Sequence, residues 1–560
     1  MNLLLPLSAA GLLVVALGSF TDTQPPPVPD ARQTPARDAK VATVGTGAIR
    51  GRVIAVDSGA PLRRAQLVLS GGELKQSMHA ATDAQGRYEF THLRAGRYTL
   101  QASKGTYVTL HYGQRWAFEA GKPIEVNDGV ALEKVDIALP RGGVISGTIV
   151  DDLGDPIALA CVMAWRSTFD QGKRKLVPAG QYVETNDLGQ YRLFGLQPGT
   201  YFVKTCRAPR VPLDVDEFAP AYYPGTLNPG EAQPVVVLLG QEHSGVEIVQ
   251  PPVRLARLSG MVVDSFGRPF PGAGVQILSA SRDGTMLRAG VKADGTFSVD
   301  DIVPGDYRVA ALQHGPGPED IRTTEYPLTL TADGYSGLVL QMLEGSRLLG
   351  RVITDEGKTP PFPAAGMRVT PVAVRSDLPQ TIREIDSRAT VKEDWTFEMN
   401  GMGGSFLFRI PTLPAGYMVK SVLLDGRDFT DKPLDIKGAD DVSDLQVVIT
   451  RQVTEVTGAP VDGKGHPVVD YGIVVFEDDA TRWKYPSRFV ATARPDQQGR
   501  FKITNLPPGR YLAVALEYVE AGQEQDTEYL ESLRPLATPF TLSWGDAKML
   551  DLKLTKSAGT

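Results

Sequence analysis

One arrangement recurs five times along this chain: a strand opening on Gly, a short turn, a second strand, then an Asp/Gly turn leading to an aromatic residue and a Gly-x-Tyr element. Thr82-Asp83-Ala84-Gln85-Gly86-Arg87-Tyr88 with Ala95-Gly96-Arg97-Tyr98 is one copy. Asp187-Leu188-Gly189-Gln190-Tyr191 with Pro198-Gly199-Thr200-Tyr201 is the next. Asp294-Gly295-Thr296-Phe297 with Pro304-Gly305-Asp306-Tyr307 and Gln498-Gly499-Arg500-Phe501 with Pro508-Gly509-Arg510-Tyr511 repeat it. Repetition on this scale specifies an array of small units built alike, not one large core. The opening glycines are Gly51, Gly147, Gly260, Gly350 and Gly458, a spacing of roughly 100 residues that suits a seven-stranded sandwich.

Within a copy the apolar residues alternate. Ile49 to Val56 is cut by Asp57-Ser58-Gly59-Ala60-Pro61, and Tyr88 and Phe90, like Tyr98 and Leu100, stand two apart on one face. No segment sustains helical spacing. The expected class is therefore all-β, a tandem array of about five sandwiches at 45–141, 142–256, 257–345, 346–454 and 455–556. The fourth copy is divergent: its Pro-Gly-x-Tyr element reads only as Pro414-Ala415-Gly416-Tyr417. The fifth carries insertions at Glu477 to Arg488 and Glu517 to Glu531. Joints as short as Leu139-Pro140-Arg141-Gly142-Gly143 imply restricted hinges and a semi-rigid, monomeric rod.

Residues 1–20 hold an uncharged apolar run from Leu3 to Leu17 followed by small residues, which reads as an export signal cleaved near Gly18. No Lys or Arg precedes the run, so an uncleaved anchor is the alternative. Residues 21–44, with Pro25-Pro26-Pro27, read as an extended linker. A secreted, periplasmic or cell-surface location follows, with no membrane span once the signal is removed. The net charge of −7 is spread in mixed signs, which gives no footprint for nucleic acid.

The pattern of Gly-x-Val, Thr-Asp-x-x-Gly-x-Tyr and Gly-x-Tyr resembles the carboxypeptidase regulatory-like domain, over about nine tenths of the exported chain if the fourth copy is included. That resemblance implies a transthyretin-like β-sandwich, prealbumin-like in topology, and the non-catalytic role of an appended module. It also implies similarity to large secreted bacterial proteins.

The only two cysteines, Cys161 and Cys206, fall in the second copy. Ala160, Val162 and Ala164 match the inward Ala65, Leu67 and Leu69, which puts Cys161 on the outer face, and Cys206 shares that parity. Parity leaves a surface staple or two surface thiols open. The resemblance places the two strands side by side, which favours the disulfide.

Signatures of common catalysts are missing. The 6 histidines, His79, His92, His111, His243, His314 and His466, are scattered, with no His-Glu-x-x-His, and neither a Gly-x-Ser-x-Gly elbow nor a phosphate loop occurs. Asp151-Asp152-Leu153-Gly154-Asp155 is dense in carboxylates but lacks the spacing of an EF-hand. The expectation is no enzyme, no cofactor and no metal. Candidate ligand-binding residues are aromatic: Tyr112 and Trp116, with Tyr107 beside them, and Tyr222 and Tyr223. Such rings stack on sugars and Pro-rich peptides, or else they cover the sandwich ends as core. Trp483 and Tyr485, near Arg482, Lys484 and Arg488, form a weaker group. The leading functional reading is a scaffold or adhesion protein meeting an extracellular glycan or surface protein through repeated weak sites. A carbohydrate-binding protein, an unrecognised hydrolase and an auxiliary subunit of an outer-membrane transporter are the rivals.

Overall fold

The structure, a computed structural model, describes residues 45–556 apart from 72–73, 75, 171, 207–218, 281–285, 315–320, 343–344, 375–388 and 438–440. The export signal and the linker expected at 1–20 and 21–44 lie outside the described residues. What is described is strand and connecting turn with very little helix, the strands arranged in pairs of small sheets.

The first copy sets the plan. Its opening strand, Gly47–Ala55, pairs antiparallel with Arg87–Leu93 and in parallel with Ala131–Leu132 and Ile137–Leu139. Facing it is a second sheet of Met78–Ala81, Gln66–Gly71 and Gly96–Ser103, closed by Leu110–His111 and Ile124–Val126. Alternate residues of the two sheets, among them Ile49, Val53, Leu67, Leu69, Phe90 and Leu100, meet in one core. Cores built the same way draw on residues 145–248, 256–342, 348–449 and 456–552.

The recurring residues each have a structural task. The opening glycine always faces the aromatic that follows the Asp/Gly turn: Gly51 opposes Tyr88, Gly147 Tyr191, Gly260 Phe297, Gly350 Phe397 and Gly458 Phe501. The ring lies across that strand while a carbonyl of the closing segment, Val135 or Val246 in the first two copies, crowds the same spot, so any Cβ would collide there. The Asp83 carboxylate ties its turn by accepting the amides of Gln85 and Arg87 at 2.9 and 2.8 Å, and Asp496 does the same for Gln498 and Arg500. In the second copy the acceptor is Asn186, one residue before the expected Asp187. The Gly-x-Tyr tyrosines close their own turns. Tyr98, Tyr201, Tyr307 and Tyr511 donate their hydroxyls to the carbonyls of Arg94, Gln197, Val303 and Pro507, each four residues earlier.

Register corrects the fourth copy. Gly96, Gly199, Gly305 and Gly509 pair with Val126, Val237, Leu330 and Leu542. The residue in that place is Gly404, opposite Ile436, so Gly404-Ser405-Phe406 replaces Gly-x-Tyr and Phe406 fills the core. Tyr417 instead stacks near Phe362, at 4.7 Å between ring centroids, just before an added strand, Met418–Leu424. Trp395 stands where the other copies have a turn residue such as Gly295, keeps the positive φ of 67°, and is buried against Phe362.

The fifth copy corrects one further expectation, that no segment is helical. Its polar insertion contains a helix, Thr527–Leu533, capped at its start by the Asp526 carboxylate. Leu530 and Leu533 on that helix join Val474, Phe476, Trp483 and Val514 in a sixth apolar cluster. Gly472–Glu477 is thereby buried on both faces, which explains its unbroken apolar run.

Copies distant along the chain also touch. The first joint is held as expected, with Gly142 donating to the Thr106 carbonyl and Arg141 paired to Asp57 at 2.8 Å. The fifth copy, however, docks on the first and second. Tyr518 donates its hydroxyl to the Ala117 carbonyl at 2.8 Å, the Ala521 amide meets the Phe118 carbonyl at 3.0 Å, and Arg166 pairs with Glu520 at 2.9 Å. Arg494 sits at the centre of this seam, buried between Glu119 and Asp470, with Arg115 and Lys122 also on Asp470. Short joints carry no local sign of a surface on the fifth copy complementary to the first.

Candidate binding cleft

The aromatic candidates do not form one site. Tyr222 is 1% exposed, buried on the outer side of its sheet with its ring 4.9 Å from the Lys204 ammonium. Tyr112 and Tyr223 are half-buried and pack on the first and second cores, and Tyr107 lies beneath the Arg141 guanidinium. Of Tyr112, Trp116, Tyr222 and Tyr223, Trp116 alone is well exposed, at 54%, with Tyr518 of the fifth copy edge-on at 6.3 Å. Apolar bulk at strand ends served packing in three of the four positions.

Cys161 and Cys206 lie directly opposite each other on paired strands and are disulfide-bonded, with Cα atoms 4.9 Å apart. Their parity is outward from the core, yet Cys161 is only 3% exposed. The outer side of this sheet is covered too, since Lys204 on the neighbouring strand is buried between the rings of Trp165 and Tyr222.

The carboxylate-dense turn at Asp151 is a hairpin device. Asp151 accepts the amides of Leu153 and Asp155, as Asp264 accepts those of Phe266 and Arg268 and Asp462 those of Lys464 and His466. His79, His92 and His111 do not converge, and among the described residues no group of three or more His, Cys, Asp or Glu is placed to hold a metal ion.

A cleft of about 530 Å³ does open where the fourth and fifth copies meet. One wall is the Asp479 to Arg488 insertion, which begins with a turn, Ala480–Arg482, capped by Asp479. Trp483 anchors this wall: it is 2% exposed, packs edge-on against Phe476 and donates its indole N–H to the Glu477 carbonyl at 2.6 Å. Arg482 is folded back over Phe489 at 4.7 Å and pairs with Glu477 at 3.3 Å. Burial pushes the Glu477 carboxyl up, with Arg482 opposing the shift. Tyr485 is left 37% exposed at the rim.

The other wall belongs to the fourth copy. Arg409 donates to the carbonyls of Phe408 and Thr430 at 3.0 and 2.7 Å, and desolvation lowers its guanidinium to about 10. Asp431 lies 3.6 Å from Arg409 and accepts two hydrogen bonds from Arg488, both at 2.8 Å. One carboxylate thus serves two arginines across the joint. Lys432 and Lys484 complete the cationic lining from opposite walls. The sequence points to Trp483 and Tyr485, with Arg482, Lys484 and Arg488 beside them, as a weak group, of which Trp483 is buried behind the wall. It gives no sign of Arg409, Asp431 and Lys432, which come from another copy and carry no local signature.

With this geometry in view, the likenesses to known proteins can be placed. The family model of the carboxypeptidase regulatory-like domain matches residues 48–140 and 257–342. Those two stretches are similar to carboxypeptidase regulatory-like domains. They coincide with the first and third cores, and the regulatory-like plan of opening glycine, turn and tyrosine recurs structurally in the second copy and fifth. No curated protein matches the chain. Among solved structures, the Bacillus anthracis TIE protein is 11% identical, over 69% of this chain and 69% of that one, with a TM-score of 0.16. A minor pilin of Streptococcus agalactiae is 14% identical over 37% of this chain and 97% of the pilin, with a TM-score of 0.22. The major pilin subunit of Bacillus cereus is 12% identical over 53% of this chain and 99% of the pilin, at 0.13. Superpositions this loose carry no functional weight.

Proposed function

We propose that this chain is a non-catalytic scaffold of regulatory-like sandwiches that acts at or outside the cell surface. The observation that carries this reading is where the polar chemistry has been spent. Turn carboxylates such as Asp83, Asp264 and Asp496 hold their own turns, and the buried Arg494 and Glu119, with the half-buried Asp470, hold one copy to another. Side chains engaged in this way build and lock an array; they are not poised to donate or accept a substrate proton. Docking of the fifth copy on the first and second favours a defined shape that presents fixed surfaces, in place of weak sites strung along a rod. Among the described residues no helix is long and apolar enough to cross a membrane.

The test is to incubate the purified chain with polysaccharide and peptide libraries and to follow both products and retention. Retention without product formation is expected. Turnover that survives repurification and is lost on denaturation would overturn the scaffold reading.

A further inference from the structure

The geometry points to the cleft between the fourth and fifth copies as a binding site for a segment of acidic, uronate-type polysaccharide. Four cations, Arg409, Lys432, Arg482 and Lys484, line it against two carboxylates, Asp428 and Asp431, in a chain whose net charge is −7. Both carboxylates are already engaged. Asp431 is shared by Arg409 and Arg488, and Asp428 accepts the Thr430 amide at 2.8 Å. Two of the cations are not: Lys432 and Lys484 are exposed and make no ion pair among the described residues. A cleft that carries surplus cations concentrates anions locally, whatever the sign of the whole molecule.

The kind of anion follows from which cations remain. The forked guanidinium groups that would grip phosphate in bidentate fashion are occupied, Arg409 by backbone carbonyls, Arg482 by Glu477 and the face of Phe489, and the adjoining Arg488 by Asp431. What remains is a pair of lysine point charges on flexible stems, suited to single carboxylates spaced along a polymer. Beside them Tyr485, Pro433 and Pro486 offer flat apolar surface of the sort on which the C–H face of a sugar ring rests. The volume lies within the range of small-ligand sites, and the cleft is open, so a chain can enter and leave at its ends.

Titration calorimetry of the full chain with short oligogalacturonates, with neutral galactose oligomers and with inorganic polyphosphate tests this. Binding of the oligogalacturonate alone is expected, weakening as salt is raised. Lys432→Glu with Lys484→Glu should weaken it at least about tenfold, and Tyr485→Ala severalfold, for single contacts of about 1 kcal/mol each. Lys464→Glu, an exposed change in the Asp462 to His466 turn, should leave it unchanged. If the double charge reversal lowers the thermal transition, Lys432→Gln with Lys484→Gln decides by the same measure. The proposal is overturned if the parent does not bind, if the cleft variants bind as the parent does, or if polyphosphate binds as tightly through the same lysines. The inference rests on the scaffold reading, but the two fail separately: shortening of the bound oligomer would overturn the scaffold and keep the cleft, whereas neither binding nor shortening overturns the cleft alone.

Discussion

Arg494 of the fifth copy is buried against Glu119 of the first, with Asp470 on its other side at 2.6 Å. Truncating the arginine leaves two carboxylates facing each other without their shared cation, the costly way to break a buried pair. Arg494→Ala is expected to weaken docking of the fifth copy by about 3–5 kcal/mol. Small-angle scattering should then report a larger radius of gyration. Arg494→Met with Glu119→Met should recover part of the loss, because Asp470 retains Arg115 and Lys122. An unchanged radius in Arg494→Ala would contradict the docked arrangement.

The opening glycines make a second prediction. At Gly147 an added Cβ meets the Val246 carbonyl, and that carbonyl also accepts the Tyr191 hydroxyl at 2.7 Å. Gly147→Ala must therefore push two strands and a ring apart at once, at about 3 kcal/mol. Gly463→Ala, where nothing lies within 4 Å, should cost under about 0.5 kcal/mol. Calorimetric unfolding of the two variants compares them directly.

Loss of the disulfide should act on the second copy. The bond closes a loop with a sequence separation of 45, for which the chain-entropy model gives about 4 kcal/mol. Cys161→Ala with Cys206→Ala is expected to lower one calorimetric transition and leave the others in place. A uniform shift of every transition would mean that the copies unfold as one.

Acid should unfasten the turns. Hydrogen bonds from the backbone of Arg87, Arg268 and His466 hold Asp83, Asp264 and Asp462 below the ordinary carboxylate range. A folded value depressed below the unfolded one means that these contributions are complete above the unfolded value and are lost as pH falls through the folded one. Stability is expected to be flat near neutrality and to decline below about pH 4. Carboxyl chemical shifts followed against pH would show whether these groups titrate late.

Trp395 separates two opposing effects. Its positive φ costs about 1–2 kcal/mol for a residue with a Cβ, which Gly at that place would relieve. Burial of the indole is worth more, about 3–5 kcal/mol on truncation. Trp395→Gly is expected to destabilise the fourth copy by a net ~2 kcal/mol, read by chemical denaturation.

The plan of a single copy was legible in the sequence because the tasks are local. An Asp or Asn that ties its own turn, a Tyr that bonds four residues back and a period of two all act within a few positions. Gly404-Ser405-Phe406 escaped notice because a phenylalanine cannot make the hydroxyl bond that defines the element, and Tyr417 offered a false match. Trp116 and Tyr222 look alike in sequence, yet one is exposed and the other is buried, since burial depends on what lands on a strand from elsewhere. The same holds for the cleft and the seam. Arg409 and Lys432 approach Lys484, and Glu119 approaches Arg494, only after whole sandwiches are placed.

In every copy the opening strand runs parallel to the closing one, as Gly47–Ala55 does beside Ile137–Leu139 and Glu455–Gly458 beside Ala547–Leu550. A copy tugged from its two ends would therefore have those neighbours slide lengthwise past each other, loading their hydrogen bonds together instead of peeling them off one at a time. Resistance of that sort is kinetic, set by the rate of rupture under load. It would suit a protein tethered at one end and pulled at the other.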